Sequence, residues 1–210
     1  MRQFYSIRVG IAGLDYPFPA PTGIVDNHLR SAGDKFVASF NLMRLQYGGS
    51  LEEVDLQVPV IAGHLSLAAG AATTVTTNAE GTRSPSWSAT IKPVLKFGKT
   101  EISPFYSYVE LRDSQSRPLF VTTGALVPAF PVQGHYLGQD WARGHTTMAN
   151  LGVTAKSVLS DSLSIRAGLF DSSLTRQKNF TEVVSFNAPG TLASHRVISD
   201  PELTNRSLSG

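Results

Sequence analysis

The residues able to do chemistry are few and scattered. The chain holds five histidines, His28, His64, His135, His145 and His195, and no cysteine. No two histidines stand four apart, and no HExxH occurs, so a helix-borne zinc site has no ligands to draw on. His135 and His145 share one segment with Asp140, which are the donor types of a surface metal site. Solvated loop histidines account for the same pattern. No G-x-S-x-G turn anchors a Ser/His/Asp mechanism, and neither GxxxxGK[ST] nor GxGxxG offers a phosphate cradle. Without cysteine there is neither a disulfide nor a thiolate nucleophile. These absences point away from bond chemistry: the expectation is a protein that is not an enzyme and needs no cofactor or metal.

Two features of the side-chain inventory have functional content. Phe120, Phe130, Tyr136 and Trp141 lie among glycines and prolines in the long stretch from Asp113 to Thr146. That stretch reads either as a compact loop packed on itself or as a rim that offers aromatic faces to a bulky ligand. Lys156 and Arg166 fall on the polar side of two alternating runs, where they can steer an anion.

The elements that position these residues are strands. In Met148 to Leu159, Ala149, Leu151, Val153 and Ala155 share one side, and Asn150, Gly152, Thr154 and Lys156 the other. In Ser162 to Ser172, Leu163, Ile165, Ala167 and Leu169 oppose Ser164, Arg166, Gly168 and Ser172, with Phe170 an apolar intruder on the polar side. A period of two is the strand period, and Ser160-Asp161 between the runs is a hairpin turn. The same alternation appears at Phe36–Met43, Val54–Val60, Leu65–Thr73, Ser86–Phe97 and Ile102–Arg112, with a last strand near Leu203 to Gly210. Phe4 to Ile11 and Ile24-Val25 read as short strands flanking a segment whose three prolines, Pro17, Pro19 and Pro21, exclude helix and sheet interior.

Charged residues make up 16% of the 210-residue chain, below the roughly 25% of a soluble domain, while mean hydropathy is only -0.03. A strand-rich chain that is neither charged nor oily matches a transmembrane barrel, whose lipid side alternates with a wet side. The net charge of +2 is too small to imply nucleic acid. No apolar run reaches the roughly 18 residues of a membrane helix, and Met1 to Gly10 has no basic-then-apolar leader pattern. The connections at Ala62-Gly63, Gly98-Lys99 and Ser160-Asp161 are tight. Those at Asn78–Pro85, Asp113–Thr146 and Leu174–Asp200 are longer, so every second connection is expected to be a loop at one end of a meander. A soluble sandwich with one dry face is the alternative. Trp87, Phe97, Tyr106 and Tyr108 suit interfacial girdles.

Asp15-Tyr16-Pro17-Phe18-Pro19-Ala20-Pro21-Thr22-Gly23-Ile24-Val25-Asp26 resembles the end of the plug domain in TonB-dependent outer-membrane receptors. Tyr136-Leu137-Gly138-Gln139-Asp140-Trp141-Ala142 resembles an extracellular loop of a siderophore-receptor-like branch, and Ile165-Arg166-Ala167-Gly168-Leu169-Phe170 a barrel strand of that family. The resemblance implies an all-β fold: a partial transmembrane antiparallel β-barrel, built as a meander, with a remnant of the plug domain at the N-terminus. Residues 1–33 would be the end of the plug, and 34–210 the first part of a barrel that has about 22 strands in the family, here about eight of them. The chain would then be a fragment of a transporter in the Gram-negative outer membrane. The implied function is energised uptake of a bulky ligand such as a ferric siderophore, with TonB engaged through a region absent from this chain. Tyr16, Phe18, Tyr136, Gln139 and Trp141 are the implied ligand contacts. The alternatives are a complete small outer-membrane barrel acting as adhesin or structural protein, and a soluble β-rich binding domain.

Overall fold

In the computed structural model the structure describes residues 4–10, 24–29, 32–122, 134–187 and 191–210. The protein is all-β. Strands β1 (Phe4–Gly10) and β2 (Ile24–Leu29) form an antiparallel two-stranded sheet of their own. The rest is one large sheet. It begins with β3 (Val37–Arg44), β4 (Ser50–Ile61), β5 (Leu65–Thr77), β6 (Arg83–Phe97) and β7 (Thr100–Gln115), each antiparallel to the one before. The short β8 (Leu119–Thr122) leaves this meander. It resumes with β9 (Arg143–Val158) beside β7, then β10 (Ser164–Asn187), β11 (Thr191–Asp200) and β12 (Leu203–Ser209). The expected meander is therefore observed.

β11 and β12 are one strand with a nick. Asn179 pairs with Asp200 and Arg176 with Leu203, which is a single unbroken register along β10. The nick falls at Pro201-Glu202, where proline has no N–H to give the ladder. A second proline effect lies inside the sheet. The β6–β7 ladder jumps from Ile91–Tyr106 to Leu95–Ile102 without a shift of register. Pro93 and Pro104 stand opposite each other in that gap, and the strands continue because their outer neighbours hold them: Pro93 pairs with Leu67 and Pro104 with Val153. The Gly98-Lys99 turn has φ 59° at Gly98, the left-handed first position that a type II′ hairpin assigns to glycine.

One expectation is corrected. Leu174–Asp200 is not a loop: β10 runs on to Asn187 and returns as β11, so the hairpin projects well past the end of β9. The connections 45–49 and 78–82 are also short, so loop length is less segregated than expected. The contrast rests on the 116–142 excursion and this projecting hairpin. The oil-and-water alternation fades at Thr175 to Asn179 because it exists only where one side of a strand meets an apolar medium.

The two faces of the sheet have opposite character. One cross-strand row reads Ala38, Leu56, Ala69, Ile91, Tyr106, Leu151; the adjacent row on the other face reads Ser39, Asp55, Gly70, Thr90, Ser107, Asn150. The polar row continues to Ser172 and Ser207 and is cross-linked, with Ser172 Oγ donating to Asn150 Oδ1 (2.7 Å) and Asn150 Nδ2 to Ser107 Oγ (3.2 Å). Burial is inverted relative to a soluble protein. Glu53 and Asp55 are 3% and 4% exposed, whereas Phe40, Leu151 and Leu169 are 66%, 56% and 62% exposed. Phe170, the intruder on the polar face, stacks near Phe105 (6.0 Å between rings). The Phe105 ring lies over Gly152, where a Cβ would meet it at 2.6 Å.

The apolar band is also tilted. Leu65, at the first tight turn, is level with Leu95, Ile102, Ala155 and Ala167. The Gly98-Lys99 turn lies beyond that row, and the 159–163 turn lies farther still. At the opposite end, the first acidic residues on the apolar face are Glu52 on β4 and Glu110 on β7, in one row. On β10 it is already Asp171, opposite Leu151, nearer the tight turns. Both limits of the band slide the same way across the sheet, the pattern that strands inclined to a common apolar slab would produce.

Candidate functional site

The excursion between β7 and β9 is held at both sides. At the 78–82 turn, the Gly134 N–H donates to the Ala79 carbonyl (2.7 Å) and Arg117 pairs with Glu80 (3.0 Å). At the projecting hairpin, Phe180, Glu182 and Val184 share one face of β10, and the excursion packs on it. β8 also joins the edge of β10 in parallel, from Val183–Leu119 to Phe186–Thr122. Departure from β7 is made possible by a bulge at Asp113, whose φ of 56° is left-handed; aspartate is one of the few non-glycine residues that tolerate this.

Glu182 is the centre of that contact. It is fully buried, and both its oxygens are used. Oε1 accepts from Ser116 Oγ and faces Tyr136 Oη at 3.1 Å. Oε2 accepts from the Gln139 backbone N–H (2.9 Å) and from His195 Nε2 (2.8 Å). On the other side of the imidazole, Gln139 Nε2 lies 3.2 Å from His195 Nδ1. These contacts are all satisfied by a neutral His195 that donates from Nε2 and accepts at Nδ1. Burial pushes the Glu182 carboxyl up, but the bonds from Ser116, His195, Gln139 and Tyr136 outweigh it, and its pKa ends below the usual glutamate value. Burial, followed by the nearby carboxylates of Glu182 and Asp140, pushes the Tyr136 phenol up to about 12, against the opposing bond to Ser116. Ser116 and His195 both turn to the carboxylate rather than to each other, so the serine–base contact of nucleophilic catalysis is not formed here.

Of the expected contact residues, Tyr136 and Gln139 are thus brought together, but as fasteners with their polar atoms turned inward. Gly138 lets this happen: a Cβ there would collide with the Tyr136 hydroxyl. Trp141 is different. It is 64% exposed, its ring edge-on to Phe180 at 5.8 Å, beside the fully buried Ala142. Tyr16 and Phe18 lie outside the described residues. His145 serves Glu110, at 2.9 Å, together with Trp87 Nε1 (2.7 Å) and Arg112, and the described residues contain no cluster of three metal-ligating side chains. Sequence reasoning missed Ser116, Glu182 and His195. The available signal was Glu182 itself, a charge standing where Phe180, Val184 and Phe186 set an apolar period of two.

No family model matches the chain, and no curated protein matches it. Among solved structures it is similar to the outer membrane transporter YddB from Escherichia coli, with a TM-score of 0.30 and 8% identity over 76% of this chain and 23% of that one. The chain therefore spans less than a quarter of that transporter's length.

Proposed function

We propose that this chain is a stretch of barrel wall from an outer-membrane transporter, with the 116–142 excursion and the β10–β11 hairpin on the outer rim. The observation that carries the reading is the inverted burial: carboxylates covered on one face, Phe40, Ile91, Leu151 and Leu169 bare on the other, in a band inclined across the strands. A soluble sandwich buries its apolar face; a barrel wall shows it to lipid. Hydrocarbon does not tolerate unpaired backbone, and the sheet order ends at β3 and at the β11–β12 strand. In this reading both edges pair with further strands of the same wall. The ligand is bulky and imported with energy from TonB, as the resemblance implies, and a ferric siderophore is the class we favour. Trp141 is the rim residue best placed to meet it.

Single-cysteine labelling in membranes tests the wall. Ile91 and Leu151 should react with a lipid-phase reagent, and Thr90 and Asn150 with a water-soluble one. Equal aqueous labelling of all four overturns the membrane reading. Trp141→Ala, made in the whole transporter, then tests the rim: ferric-siderophore uptake should fall while the labelling pattern stays the same, and unchanged uptake removes Trp141 from the contact set.

A further inference from the structure

Near the tight-turn end, the polar face carries a row that folding alone does not favour. Lys96 pairs with Glu101, Glu101 with Lys156, and Lys156 with Arg166. The row thus holds three cations and one carboxylate, and Lys156 and Arg166 stand directly opposite each other. Like charges directly opposite in a ladder are destabilising. Glu101 offsets one cation at most, since Lys96 and Lys156 flank it on either side. Neither Lys96, Lys156 nor Arg166 forms an ion pair with another described residue. Lys156 and Arg166 are exposed, so the pair faces open space.

The neighbours on that face leave the charges accessible from one side. The next row holds Ser103, Thr154 and Gly168, small residues that leave room beside the charges; their hydroxyls are already used, Ser103 Oγ donating to Glu101 Oε1 (3.4 Å) and Thr154 Oγ1 to the Ser103 carbonyl (3.4 Å). Beyond them the Phe105–Phe170 ring pair closes the site, and the Phe170 ring lies so close to Gly168 that a Cβ there would meet it at 2.8 Å. A guanidinium and an ammonium directly opposite each other on one face, both exposed and bordered by an aromatic pair, make a receptor for oxyanions.

We propose that Lys156 and Arg166, with Lys96 beside them, form an anion-binding site on the wet face of the sheet, for a ligand bearing phosphate or carboxylate oxygens. The like-charge pair is the part of the site that the anion neutralises. This inference needs only that the face be open to water; it does not depend on lipid contact at the other face or on the identity of any transported ligand.

The test uses the full chain refolded in a zwitterionic detergent, with inorganic pyrophosphate as the probe and sodium chloride of matched ionic strength as the control. Pyrophosphate should bind and raise the unfolding midpoint, and the chloride control should not. Arg166→Glu converts the repelling pair into an attracting one. It should raise the midpoint without anion and weaken pyrophosphate about tenfold or more, the loss of one charge-assisted bond. Arg166→Lys should keep both properties, and Lys178→Gln, outside the row, should behave as the parent. Lys156→Gln repeats the experiment in case the glutamate variant does not refold. The proposal is overturned if chloride matches the pyrophosphate shift, or if pyrophosphate binds Arg166→Glu or Lys156→Gln as tightly as the parent. A chain that binds pyrophosphate but fails lipid-phase labelling would keep this site and lose the membrane reading.

Discussion

The two halves of β10 obey different rules. From Ser164 to Leu169 its apolar residues, Ile165, Ala167 and Leu169, face outward and uncovered, and its other side is polar. From Phe180 to Phe186 the apolar side is the covered one, closed by Trp141, Phe120 and the clasp on Glu182. One strand, with one hydrogen-bond ladder, passes from an inside-out environment to a conventional one. The change comes at Asp171 to Asn179, where the residues stop alternating. In the proposed barrel wall, what differs between the halves is the medium, and side-chain choice follows the medium.

The largest effect is expected on removing the acceptor at the centre of the upper half. Glu182→Ala would leave the donors of Ser116, Tyr136, Gln139 and His195 facing an apolar hole, a cost of about 3–5 kcal/mol. Limited proteolysis should then cut within 134–142 while β3–β7 stay protected; protection of both regions would mean that the clasp does not hold the excursion. In the lower half the corresponding insult is a charge on the apolar face, which the proposed reading turns to lipid. Leu151→Arg should destabilise the membrane-inserted chain by about 2–4 kcal/mol, whereas Asn150→Leu, one residue away, should cost far less. Similar losses at the two positions, read by detergent-resistant folding on gels, would erase the distinction between faces.

Titration sharpens the same contrast, because the clasp belongs to the upper half alone. The depressed pKa of Glu182 contributes stability that is present above the ordinary glutamate value and lost as pH falls through the lower folded value, so the excursion should loosen below about pH 4. The raised pKa of Tyr136 has the opposite sign. Its contribution is full below the ordinary phenol value of about 10 and lost as pH rises toward about 12. Hydrogen exchange of 134–142 against pH should therefore show a plateau between two falls, and β4–β6 should show neither. Gly138→Ala is a milder probe. It displaces the Tyr136 hydroxyl and forfeits about 1 kcal/mol for one hydrogen bond, measurable as loss of the alkaline limb with the acid limb intact. The smallest effect is expected at Asp171→Asn. Its pair with Arg206 is bidentate at 2.6 Å and 3.0 Å but open to the surroundings, so only the salt dependence of stability should change.

Refolding of the isolated chain bears on the lower half as well. Two sheet edges that hydrocarbon cannot leave unpaired predict that refolded copies pair edge to edge in detergent, giving folded oligomers of mixed size. A monodisperse, heat-modifiable band would show that the edges satisfy each other.

By itself the sequence determined the strands of the lower half and their faces. Val54, Leu56, Ile91, Leu151 and Leu169 alternate with polar neighbours because a strand between oil and water must repeat every two residues, and that rule is local. Gly98-Lys99 likewise marked its turn through backbone preferences of a few residues, whereas the turn expected at Ser160-Asp161 is wider, with Ser160 bonded to Leu163 across Asp161 and Ser162. Only the tertiary structure decided the upper half. Thr175 to Asn179 show no period of two, so the continuation of β10 and its return as β11 were invisible. The clasp joins Ser116, Tyr136, Gln139, Glu182 and His195 across a long span of chain. No local spacing encodes a carboxylate whose donors come from four other residues, and Tyr136 and Gln139, expected as ligand contacts, bond to Glu182 and His195 in the structure. The row from Lys96 to Arg166 is a similar case: each charge was plain in its own strand, and only register across four strands set them side by side.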